Sequence, residues 1–121
     1  MIRLKRAYEA PSADDGRRVL DERLWPRGLS KDRAALDLWL KEVAPSSELR
    51  TWFSHDPAKW PEFRRRYEEE LRGKPQEVAQ LAELDRGGTV TFVYGSRDEE
   101  HNAAVVLKGY VEARRGVNDA V

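Results

Sequence analysis

The run TVTFVY, residues 89 to 94, constrains the fold of this chain more than any other stretch. β-Branched and aromatic side chains follow one another there, which favours a strand. Their continuous apolarity fits an interior strand covered on both faces, as in a parallel sheet. Gly95 follows at once, and Ala103, Val106, Leu107, Tyr110 and Ala113 then recur at helical spacing. A buried strand that runs through a glycine loop into a helix belongs to an α/β fold, whose ligands sit at the carboxyl ends of the strands.

The other elements follow from their periods. IRLKRAY puts Ile2 and Leu4 on one face of a first strand, and RRVLDERLW offers a short second one centred on Val19 and Leu20. Ser30 caps a short helix with Asp32 in its first turn. In ALDLWLKEVAP, Leu36, Leu38 and Leu40 read as a strand, while Leu36, Trp39, Leu40 and Val43 read equally well as a helix face. The strand is the reading adopted. Past the Ser46 cap, Leu49, Trp52 and Phe53 share a helix face that SHDP interrupts. The next helix starts near Asp56-Pro57 and carries Trp60, Phe63, Tyr67 and Leu71 as a stripe, although Pro61 implies a bend or a later start, and Gly73 ends it. Pro75 opens another helix, closed by Gly87 and Gly88. The sum is a single compact α/β domain over residues 1–115, a small and mostly parallel sheet flanked by helices, with a flexible tail over 116–121.

Composition narrows the chemistry. Twenty-two basic and twenty-two acidic residues cancel, so any anion site must be local. The chain has no cysteine, which removes disulfides, thiolate metal sites and cysteine nucleophiles. With only His55 and His101, a zinc site is not expected, and no cofactor is implied. No apolar run reaches signal-peptide or membrane-span length, so a soluble cytoplasmic protein is expected, with no membrane partner.

DERLWPRG, residues 21 to 28, raises the functional question. A turn needs Pro26 and Gly28 for its backbone angles, but it needs neither the arginines nor the tryptophan. If the second strand and TVTFVY are parallel neighbours, this loop and the Gly95 loop leave the sheet at one edge. Arg23 and Arg27 would then clamp an anion, since guanidinium forks match phosphate and carboxylate, and Trp25 would wall or stack on the ligand. Glu22 and His101 are the candidate acid/base groups. Gly95, Ser96, Arg97 and Asn102 are further ligand-binding positions at a helix start.

A purely structural alternative stands beside each of these. Ser96 and Glu99 have capping-box spacing, which satisfies helix N–H groups without a ligand, and Asp98, Glu99 and Glu100 make the first turn acidic. Trp25 would plug the core edge while the arginines latch the loop to carboxylates such as Glu22 or Asp98. His55, in WFSHDP, reads as helix-boundary chemistry. RRRYEEE pairs Arg64 with Glu68, Arg65 with Glu69 and Arg66 with Glu70, a solvated helix face.

Three segments carry a family resemblance: DGRRVLDERLWPRGLSKDRAALDLWLKEVAPSSELRTWF, HDPAKWPEFRRRYEEEL and YGSRDEEHNAAVVL. Over about residues 1–115 the chain resembles the YeaO-like branch of the bacterial proteins grouped as domain of unknown function 488. The family usually reads Val-Asp-Arg-Leu-Trp-Pro-Arg-Gly where this chain has Asp21-Glu22-Arg23-Leu24-Trp25-Pro26-Arg27-Gly28, so Glu22 replaces an aspartate. The wider family often carries Cys-x-Glu after its last strand, where Tyr94-Gly95-Ser96 stands here. The layout is also similar to rhodanese-like domains, but without cysteine neither sulfur transfer nor thiol-based phosphatase action carries over.

Two functions remain. One is binding of a small anionic metabolite or nucleotide in a cleft between the 22–28 and 95–102 loops, with catalysis open. The other is a non-catalytic regulatory module that binds protein or nucleic acid through an N-terminal basic surface, where nine basic residues face six acidic ones through Arg33. The oligomeric state is fixed by neither.

Overall fold

The four strands are β1 (Ile2–Arg6), β2 (Arg17–Leu20), β3 (Leu38–Trp39) and β4 (Val90–Tyr94). A computed structural model describes the backbone of residues 1–119 and the side chains of residues 1–114. The strands form one sheet in the order β1-β4-β2-β3, and every pairing is parallel. β4 is the interior strand that its composition implied: all five residues are buried, and Phe92 stands level with Leu4 on one side and Val19 on the other. In the ambiguous segment from Leu36 to Leu40 the strand reading holds for Leu38 and Trp39, which pair with Val19 and Leu20.

Among the described residues there are five α-helices, α1 (Lys31–Ala34), α2 (Ser47–Phe53), α3 (Trp60–Arg72), α4 (Pro75–Gly87) and α5 (Ala103–Asp119), with short 3-10 turns over Ala13–Asp15, Lys41–Val43 and Pro57–Lys59. Serine side chains begin two of them, Ser30 accepting from the Arg33 N–H at 3.2 Å and Ser46 from the Leu49 N–H at 3.1 Å. The later start is what is found: a 3-10 turn over Pro57–Lys59 precedes α3, which begins at Trp60, directly before Pro61. Pro61 lies in the first turn, where the N–H it lacks has no intrahelical acceptor to lose. The loose tail expected over 116–121 falls where the backbone of α5 continues to Asp119 and where the side chains, with all of residues 120 and 121, lie outside the described residues.

The sheet has two unlike faces. On one, Ile2, Val19, Val90 and Phe92 pack with Phe63, Tyr67 and Leu71 of α3 and with residues of α4 and α5. The other face is covered by loops and α1, through Leu20, Val93, Ala7, Leu29 and Ala34, with Trp25 and Trp39 against them. A charged network is buried beneath that cover. Asp15 accepts from Arg18 Nη1 at 2.7 Å and from Lys5 Nζ at 3.2 Å, and its backbone carbonyl accepts from Thr91 Oγ1. Gly16 joins this network to β2 with φ at +61°, and a Cβ there would come within 2.1 Å of the Thr89 carbonyl oxygen.

The charged surface of α3 departs from simple i, i+4 pairing. Arg65 does pair with Glu69, but Arg65 and Arg66 both bond Glu62, and Glu70 turns away to accept from the Ser46 N–H and hydroxyl. Among the described residues, no helix is long and apolar enough to cross a membrane.

Candidate functional site

β2 and β4 are parallel neighbours, so the chain leaves both at the same edge of the sheet. After β2 come Asp21, Glu22 and Arg23. Asp21 is fully buried, and neither carboxylate oxygen has a hydrogen-bond partner among the described residues. Burial, and next the charge of Glu22, push its carboxyl well above the usual range.

Glu22 bridges to the other strand. Its Oε1 accepts the Gly95 N–H at 2.9 Å, while Oε2 makes no hydrogen bond among the described residues. Burial raises this carboxyl too, against the opposing pull of the Gly95 N–H, His55 and Arg50. Arg23 donates from Nε to the Pro45 carbonyl at 3.1 Å. Its terminal nitrogens form no hydrogen bond or ion pair among the described residues.

The loop between β4 and α5 is organised by Asp98. Its Oδ1 accepts from the Glu100 and His101 N–H groups, each at 2.9 Å, and these bonds hold the carboxyl below its usual range. An ionised Asp98 only accepts, so His101 donates to it from Nδ1, at 2.9 Å to Oδ2. The imidazole also meets Trp60 edge-on, with centroids 5.2 Å apart. Nδ1 is thereby occupied and Nε2 is left to the cavity that the ring lines.

That cavity, of about 250 Å³, lies where the loops after β2 and β4 meet the end of α2. Six of the expected residues line it: Glu22, Arg23, Gly95, Ser96, His101 and Asn102. Its walls are largely apolar, with Phe53 and Phe63 stacked on each other at 4.2 Å. Among the described residues no group of three or more His, Cys, Asp or Glu is placed to hold a metal ion.

Trp25, Arg27 and Arg97 do not line it. Trp25 turns to the loop-covered face, where its Nε1–H donates to the Leu29 carbonyl at 2.6 Å and its ring meets Trp39 edge-on at 5.4 Å. The left-handed backbone of Gly28, φ +76°, completes the turn that leaves Arg27 exposed, its carbonyl accepting from Tyr8 Oη. The latch expected of this stretch is therefore made by the indole; among the described residues neither Arg23 nor Arg27 bonds a carboxylate. No capping box forms between Ser96 and Glu99. Ser96 Oγ instead accepts the Asp98 N–H, and α5 is capped by Asn102, whose Oδ1 accepts the Val105 N–H at 3.1 Å.

Two further side chains at the cavity, Arg50 and His55, were not anticipated as site residues. Ser54 and His55 both take left-handed backbones, φ +47° and +58°, and this pair of uncommon conformers turns the chain where α2 meets the cavity. The only trace in the sequence is the break at SHDP, which reveals a turn and not where it faces.

Comparison with known proteins agrees with the resemblance noted from the residues. A family profile described as the inactive DUF488-N3 subclade matches residues 1–120. An uncharacterized protein of Mycobacterium tuberculosis is 41% identical over 113 residues, covering 93% of this chain and 95% of that protein, and one of Mycobacterium bovis matches equally. The uncharacterized protein YeaO of Escherichia coli is 38% identical over 112 residues, covering 93% and 97%. No solved structure matches.

Proposed function

The chain belongs to the inactive DUF488-N3 subclade, and on that footing we propose that its cavity binds a compact anionic ligand of the phosphate or nucleotide kind. The observation that carries this reading is the convergence of Arg23, Arg50 and His55 on one cavity at the carboxyl ends of β2 and β4. Arg23 spends one nitrogen on the Pro45 carbonyl and keeps its fork for a ligand. The stacked Phe53 and Phe63 receive an apolar part of that ligand, and the open Oε2 of Glu22 accepts a hydrogen bond from it.

Binding without covalent catalysis is the simpler form of this proposal. The chain lacks cysteine, the Ser96 hydroxyl is engaged with Asp98, and the family description is itself "inactive". His101 and Glu22 remain the groups through which a proton would move.

The basic N-terminal surface is weakened by its own internal bonds. Lys5 and Arg18 hold Asp15, Arg3 bonds the Asp14 carbonyl, Arg6 bonds the Ser96 carbonyl and Arg23 that of Pro45. Thermal shifts against nucleoside monophosphates, sugar phosphates and inorganic anions test the cavity. A ligand at one hundred times its dissociation constant stabilises by about 2.7 kcal/mol, a clear rise in melting temperature. Saturable stabilisation by one class is the expected result. No stabilisation by any of them contradicts the proposal.

A further inference from the structure

Val43 closes the 3-10 turn over Lys41–Val43 and Ser46 caps α2, so Ala44 and Pro45 between them belong to no regular element. Both line the cavity, and Val43, Ala44 and Pro45 are all buried. A buried carbonyl needs a donor. Each of these three finds one on a different side chain from a distant part of the chain: Val43 from Tyr67 Oη at 2.7 Å, Ala44 from Lys74 Nζ at 3.0 Å, and Pro45 from Arg23 Nε at 3.1 Å. Ser46 is held in turn by Glu70, which accepts from its N–H at 2.8 Å and from its hydroxyl at 2.6 Å.

Tyr67 and Glu70 lie in α3, and Lys74 follows its end. Of the four side chains, Arg23 alone lines the cavity. The contacts therefore run from α3, through the backbone of residues 43–46, to Arg23. Lys74 stands close enough to Arg23 that burial, and next the charge of that arginine, lower its ammonium. Two like charges share this corner, each fixed on its own carbonyl.

We propose that residues 43–46 form a strap through which α3 aims Arg23 at the ligand, with Tyr67, Glu70 and Lys74 as its positioning residues. This rests on the cavity reading above and adds what readies the site before a ligand arrives. A guanidinium on a free stem loses rotamer freedom when it takes an anion, whereas one already held at Nε loses less and binds more tightly. The strap also separates two effects of Glu70. By charge alone its removal would favour an anion; through the strap its removal disfavours one.

Calorimetric titration of the full chain with inorganic phosphate and with adenosine monophosphate tests this in Tyr67→Phe, which removes a hydroxyl and no charge, and in Glu70→Ala. In both folded variants the dissociation constant of the anion that the wild type binds is expected to rise by about three- to tenfold, up to the worth of one charge-assisted bond at Arg23. Glu70→Gln, which keeps an acceptor oxygen, is expected to recover most of the loss. In ¹⁵N NMR the wild-type Arg23 Nε–H is expected to exchange with water more slowly than that of the exposed Arg27, and to lose this protection in both variants. Affinity unchanged in Tyr67→Phe, or raised in Glu70→Ala, overturns the strap and leaves the cavity reading intact. So does a wild-type Arg23 Nε–H that exchanges as fast as that of Arg27, even if neither variant folds. Wild-type protein that binds neither anion defeats both.

Discussion

Glu22 Oε1 and the Gly95 N–H, 2.9 Å apart, tie the carboxyl end of β2 to that of β4 at the cavity wall. Removing the acceptor leaves a half-buried amide without a partner. Glu22→Ala is expected to cost about 1–3 kcal/mol, while Glu22→Gln, which keeps an acceptor oxygen, costs less. Urea unfolding of the two variants in parallel checks the order.

Asp21 gives a prediction of opposite sign. Its carboxyl is fully buried, has no partner among the described residues, and is raised well above its ordinary value. The folded state then binds a proton that the unfolded state releases, so stability falls as pH rises from the ordinary aspartate range toward the raised value. Asp21→Val removes the polar group and its share of the slope together. It is expected to stabilise by about 1–3 kcal/mol, with a larger gain at pH 8 than at pH 5 in urea unfolding.

Asp15 acts the other way. Burial would raise its carboxyl, but the Ser12 N–H, Arg18 and Lys5 together hold it below its ordinary 3.8. Its stabilisation is therefore present above the unfolded value and is lost as pH falls through the lower folded one. Asp15→Asn leaves Arg18 buried beside a neutral amide and is expected to cost about 3–5 kcal/mol at neutral pH. The variant's acid limb, followed by circular dichroism, flattens in the same window. A stability loss that persists undiminished at pH 2 contradicts this assignment.

Trp25 is a latch of the loop-covered face. It bonds the Leu29 carbonyl and meets Trp39, whose own Nε1–H donates to the Glu22 carbonyl at 2.6 Å. Trp25→Ala is expected to cost about 2–4 kcal/mol through the cavity it leaves. Since Trp39 holds the Glu22 backbone, the loss reaches the site by loosening it. Ligand affinity that falls with stability in Trp25→Ala and recovers in Trp25→Phe is the expected pattern.

Where local chemistry decides, the sequence was a sufficient guide. β4 is apolar on both faces because α3 to α5 cover one side of the sheet and loops with α1 the other, and Ser30 and Ser46 cap helices because their hydroxyls reach the third N–H. The meeting of the Arg23 and Gly95 loops required only that β2 and β4 be parallel neighbours, as they are. Long-range direction was the part that local patterns do not encode. Trp25 and Arg27 lie two and four residues beyond Arg23, yet the Pro26–Gly28 turn carries them away from the cavity. Arg50 reaches the cavity from within α2, and His55 from just beyond it through two left-handed residues that no composition rule demands. Ser96 and Glu99 had the spacing of a cap, but Asn102, one residue before α5, holds that position.

The most direct test of the anion cavity compares Arg23→Ala, at its wall, with Arg27→Ala, four residues away and exposed, in calorimetric titrations with the stabilising ligand. Loss of a charge-assisted bond predicts affinity at least about tenfold weaker in Arg23→Ala and unchanged in Arg27→Ala, with both variants folded. Equal weakening in the two, or weakening in Arg27→Ala alone, would place the anion outside the cavity and contradict the account.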